Sequence, residues 1–163
     1  VPPVPAVGNI LGDERPEIVV PSYDGYVRSY SPDGMLLWDY AFDSPGGDFI
    51  GASGAVIADL SGDGRPEVVF TTYSIAADVS KLVVLDAGGN EIRAVPLFGR
   101  GSMSPPTIAD LEDDGDLEIV LSLKDTLGGE SGGVQIWDVA GSAGNCIVWP
   151  TARGGDLRSG AAQ

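Results

Sequence analysis

Short apolar runs alternate along this chain with polar stretches rich in glycine, proline and aspartate, a punctuation that predicts strands and tight turns rather than helices. The runs recur in a fixed order. A segment of small residues leads: Val4-Pro5-Ala6-Val7, Gly54-Ala55-Val56-Ile57-Ala58 and Pro106-Thr107-Ile108-Ala109. An acidic loop follows, then a β-branched run from Ile18 to Val20, Val68 to Thr72 and Ile119 to Ser122. A third strand is predicted at Tyr26 to Tyr30, Leu82 to Leu85 and Val134 to Trp137, each closed by a turn such as Ser31-Pro32-Asp33-Gly34. A fourth is predicted at Leu36 to Tyr40, Glu91 to Val95 and Cys146 to Trp149.

The acidic loops begin at Asn9, Asp59 and Asp110, so the interval is 50 residues and then 51. Four short strands in each such period predict an all-β fold of β-propeller blades, about three of them, each a four-stranded antiparallel sheet. The units run over residues 1–50, 51–98 and 99–149, with a polar, glycine-rich tail at 150–163. Small residues on the first strand suit the crowded axis where blades converge. The longer excursions Ser74 to Ser80 and Lys124 to Gly132 are expected on the variable surface. Propellers close with roughly four to eight blades. Three blades would leave open edges and an unfilled centre, so these residues are expected to belong to a larger ring, or to one completed by a protein partner or by self-association.

Composition narrows the function. Hydrophobic residues make up 43% and charged residues 20%, which is not a disordered composition. Glycine (24) and proline (12) fit many strands and turns. The net charge of −15 argues against nucleic acid or an anionic membrane surface as partner. Histidine is absent, which excludes a Ser-His-Asp or Cys-His site within these residues and histidine-ligated zinc. The single cysteine, Cys146, lies in an apolar run and is expected to be a buried packing residue. No run is long and apolar enough for membrane insertion, and the opening Val1-Pro2-Pro3-Val4 carries no leader pattern and no methionine, as in a mature form or a fragment.

The loops carry the candidate chemistry. Oxygen-bearing side chains at alternate positions around a glycine suit a hard divalent cation, Ca2+ above all. In the second loop the candidate ligands are Asp59, Ser61, Asp63, the carbonyl of Arg65, and Glu67. In the third they are Asp110, Glu112, Asp114, Asp116 (carbonyl or carboxylate) and Glu118. Gly64 and Gly115 sit sixth, where a sharp turn is expected to need positive φ. An EF-hand would require a bidentate glutamate at the twelfth position and flanking helices. Phe70 and Leu121 stand there instead, between strands, so that reading fails.

Asp-x-Ser-x-Asp-Gly-x-x-Glu entering a β-branched strand resembles the FG-GAP/VCBS repeat of integrin-α-like propellers, and the resemblance covers essentially the whole chain as three units. It implies that the loop joins the first two strands of a blade and holds calcium at the rim. The first loop departs from the pattern and is the weaker metal candidate, through Asn9, Asp13 and Glu17: Asn9 replaces aspartate, Leu11 offers no ligand, and Glu14 replaces the glycine. The resemblance implies a calcium-stabilised, extracytoplasmic module for protein or carbohydrate binding, cell adhesion or scaffolding, with no catalytic residues. Two alternatives stand beside it: the propeller portion of a polysaccharide lyase or quinoprotein-like enzyme, with chemistry elsewhere, and a structural subunit of a large assembly. Trp38, Trp137 and Trp149 are expected to pack between blades.

Overall fold

The computed structural model describes residues 3–43, 49–126, 129, 132–142, 147–152 and 154, which form thirteen strands and no helix. Cys146 and most of the tail lie outside the described residues.

All strand pairs are antiparallel, in three sheets. The first sheet is β1 (Ala6–Gly8), β2 (Glu17–Pro21), β3 (Tyr26–Tyr30) and β4 (Leu36–Ala41), paired in chain order. The second contains β5 (Ile50–Ala52), β6 (Val56–Ala58), β7 (Glu67–Ser74), β8 (Lys81–Leu85) and β9 (Glu91–Pro96). The third holds β10 (Thr107–Ala109), β11 (Leu117–Ser122) and β12 (Val134–Val139). Strand β5 has no counterpart in the sequence-based reading. It pairs with the far end of β7 beyond β6, and Ser53 makes the join: its Oγ accepts the Thr71 N–H at 3.0 Å and donates to the Gly54 carbonyl at 2.9 Å.

The largest departure concerns β13 (Ile147–Trp149), expected as the fourth strand of the third unit. It pairs instead with β6, the leading strand of the second sheet, so the three sheets have four, six and three strands rather than four each. Burial explains the choice. The fourth strands β4 and β9 are mostly exposed, whereas Val148 and Trp149 are buried at 9% and 4% exposure. Between the leading strands these apolar side chains leave water, at roughly 1.5–3 kcal/mol for each large residue. Gly8 makes the room: a Cβ there would lie 2.5 Å from Val148 Cγ1. The chain stays anchored beyond β13, since the Ile108 N–H donates to the Pro150 carbonyl at 3.0 Å. The small residues of the leading strands thus accommodate a thirteenth strand rather than only one another.

Two apolar layers separate the sheets. Val19 and Val27 of the first sheet meet Ile57, Val68, Phe70, Val83 and Leu85 of the second, with Val148 and Trp149 in the same cluster. Phe70 is fully buried and takes Tyr40 and Phe42 edge-on, with ring centroids 6.1 and 6.0 Å away. Val56, Val69, Leu82 and Val84, on the other face of the second sheet, meet Ile108, Ile119 and Leu121 of the third. The tryptophans pack between sheets as expected: Trp38 against the first layer, its indole N–H donating to the Ala87 carbonyl at 3.0 Å, Trp137 against the second, and Trp149 within the first.

Candidate metal centre

The acidic loops join β1 to β2, β6 to β7 and β10 to β11, each an antiparallel pair, and all three fold alike. The fourth and sixth positions have positive φ throughout: Gly12 and Glu14 (78° and 68°), Gly62 and Gly64 (75° and 82°), Asp113 and Gly115 (56° and 94°). Glycine at the sixth position of the second and third loops pointed to this bend; glycine at the fourth position of the first and second, Gly12 and Gly62, carries the same signal for the other bend, which the sequence reading left out. In the first loop Glu14 takes up the bend without the permissive residue, at a cost on the order of 1–2 kcal/mol. Glu14→Gly is therefore expected to stabilise the chain by about 0.5–1 kcal/mol, read as a raised urea midpoint.

Side-chain carboxylates satisfy the turn. The ninth-position glutamate is buried in every copy, and its Oε2 accepts the second-position N–H: Ile10 to Glu17 at 2.8 Å, Leu60 to Glu67 at 2.6 Å, Leu111 to Glu118 at 2.6 Å. The first-position side chain accepts from the loop it opens. Asn9 Oδ1 takes the Gly12 N–H, Asp59 takes those of Gly62 and Gly64, and Asp110 takes those of Asp114 and Gly115, all between 2.8 and 3.2 Å. The fifth-position aspartates Asp13, Asp63 and Asp114 each cap the N–H two residues on, at 2.8 to 3.0 Å. The first loop keeps this architecture with Leu11 at the third position, so the backbone form does not depend on a full set of ligands.

The loops differ in how their acids converge. In the second, carboxylate oxygens of Asp59, Asp63 and Glu67 all lie within 4.8 Å of one another, the first and last buried and Asp63 exposed. Among the described residues the acids of the other two loops do not gather as tightly: Asp110, Glu112 and Asp114 are exposed, Asp116 is half-buried and Glu118 is buried. Ser61 and Arg65 are exposed on the second loop, beside the triad. Burial pushes the Glu67 carboxyl above its ordinary range. The Asp59 charge pushes the same way, and donors from Leu60 and Ser61 offset part of the shift. Three acids this close, two of them desolvated, suit a hard dication, with Ser61 Oγ and the Arg65 carbonyl as further oxygens.

Beside this loop a cleft of about 320 Å3 opens between the second and third sheets. Leu82, Val84, Val95, Ile119 and Trp137 supply apolar walls, with Glu67, Arg93 and Asp138 the charged groups lining it.

No protein-family model matches this chain, and no curated protein matches it. Among solved structures, the V. cholerae biofilm matrix protein Bap1 is similar over 77% of this chain and 20% of its own, with TM-score 0.54 and 20% identity. A protein of unknown function from Bacteroides caccae matches over 71% of this chain and 52% of its own, with TM-score 0.29 and 17% identity, too low to bear on the fold. The chain spans about a fifth of Bap1, and the likeness is one of fold.

Proposed function

We propose that these residues are three blades of a calcium-stabilised β-propeller of the FG-GAP/VCBS type, a non-catalytic module that binds protein or carbohydrate, or scaffolds, outside the cytosol. The observation that carries the reading is the Asp59, Asp63 and Glu67 triad on a loop whose backbone recurs three times. Calcium there fastens the turn between β6 and β7, and the third loop supplies a second site through Asp110, Glu112, Asp114, Asp116 and Glu118. The first loop keeps the fold without the ion. The fold likeness to a biofilm matrix protein supports an extracellular scaffold, where free calcium is plentiful. An enzyme reading draws less support. Of the carboxylates at the cleft, Glu67 is engaged by the Leu60 and Ser61 amides.

Thermal unfolding in calcium against chelator tests the reading. A ligand that binds only the native state stabilises by about 2.7 kcal/mol at a hundredfold excess over Kd. The melting temperature should rise with calcium, and calorimetric titration should show the ion binding. An identical melt in both buffers would remove the metal from the proposal.

A further inference from the structure

Among the described residues the sheets stack by a rule that leaves two faces only partly covered. In the first sheet Val19, Ser29 and Val27 face forward, onto Val68, Phe70 and Val83 of the second. In the second sheet the register-equivalent forward positions are Val69, Val84 and Leu82, which lie on Ile119 and Leu121 of the third. The same register in the third sheet puts Val120, Ile136 and Val134 on its forward face. Val27 and Leu82 are 0% and 3% exposed, whereas Val134, their equivalent, is 67% exposed. Ser29 and Val84 are 0% and 8% exposed, and their equivalent Ile136 is 58% exposed. The third sheet therefore keeps aliphatic side chains at positions that the other two bury.

The backward face of the first sheet is the complement. Ile18 and Val20 stand where the second sheet has Val68 and Phe70 and the third has Ile119 and Leu121, which are at most 3% exposed. Ile18 and Val20 are only half-buried; Tyr30 and Leu36 extend this face, Leu36 at 54% exposure, and Arg28, the cross-strand partner of Val20, stands on it where the second sheet has Val83, its charge paired with Asp24. We propose that the forward face of the third sheet docks on the backward face of the first sheet in a second copy of this chain. The inference rests on reading the sheets as blades. A second copy is the occupant because its first sheet carries, in the same register, the kind of face that already seats on a forward face twice within each chain. The interface is head-to-tail, and such contacts close when the rotation allows. Two copies bring six sheets, within the roughly four to eight of closed propellers, and both partly covered faces of each copy are then used.

Sedimentation equilibrium of the whole chain in calcium should give twice the chain mass, dissociating on dilution. Ile136→Asp and Leu36→Asp alter exposed side chains, so both should fold, with melts that match the wild-type chain diluted to its monomer and fall below that of the wild-type dimer. Each spoils both interfaces of its own dimer and should sediment as a monomer. Mixing the two should restore association in part, because one interface of the mixed dimer is then wild type on both sides. A folded wild-type monomer at every concentration overturns the docking, as does association that Ile136→Asp leaves intact. A calcium-dependent melt in such a monomer would leave the metal reading standing. Dimers that form and split as described, with a melt indifferent to calcium, would keep the docking and remove the metal.

Discussion

Trp149→Ala is expected to destabilise the chain by about 3–5 kcal/mol, the range for removing a large aromatic from a packed core. The indole is 4% exposed and shares a cluster with Ala6, Ile57 and Val148, so its loss opens a cavity where the leading strands meet. Urea unfolding followed by fluorescence and circular dichroism should show a lower midpoint with the slope retained. The magnitude is diagnostic. As the outer fourth strand of the third sheet, this segment would resemble β9, whose residues are largely exposed, and truncation would cost little. A loss below about 1 kcal/mol would place Trp149 at a surface and remove β13 from the centre. Gly8→Val approaches the same contact from the other side. Its Cβ would meet Val148 Cγ1 at 2.5 Å, and overpacking of this kind costs roughly 1–3 kcal/mol.

The course of β13 also shows where the sequence stopped being legible. Strand positions were readable because each apolar run is short, β-branched and bounded by turn residues. Tyr26–Tyr30 coincides with β3, and the other predicted third and fourth strands overlap observed ones. Partner choice was not readable in the same way. Ile147, Val148 and Trp149 follow a turn just as Leu36 and Glu91 do, and local signals alone place them beside β12. What decides is a long-range quantity, the space left by Gly8 between leading strands, and no pattern within one repeat encodes it. Strand β5 escaped notice for a similar reason, since Ile50-Gly51-Ala52 is short and pairs only because β7 outruns β6. At the loops the division is finer. Aspartate and glutamate spacing located the candidate site, and glycine at the sixth position located one bend. The positive φ at Glu14 runs against residue preference and emerges only from the fold around its loop, whereas Asp113 is among the residue types that tolerate this conformation.

Those loops supply the prediction that separates an ion site from a turn that merely uses acids. Glu17 and Glu67 occupy the same position, are both buried, and accept the same two amide N–H groups, from Ile10 and Leu11 and from Leu60 and Ser61. Replacing either by glutamine keeps an oxygen acceptor for the two amides, removes the charge and turns the second carboxylate oxygen into an NH2 donor, a change common to both loops. For Glu67→Gln in chelator, the change is expected to be small and to lean toward stabilisation, because burial and the Asp59 charge both disfavour the ionised form that is lost. In calcium the same variant should forfeit the stabilisation contributed at that loop, about 2.7 kcal/mol if the ion is a hundredfold above Kd. Glu17→Gln should shift the melt equally in both buffers, since Leu11 leaves its loop short of a ligand. The four melts therefore form a double difference in which the hydrogen bonds cancel and the ion remains. Equal calcium responses in the two variants would assign these glutamates to the turn alone, and the recurring loop would then be a strand connection whose acids serve the backbone.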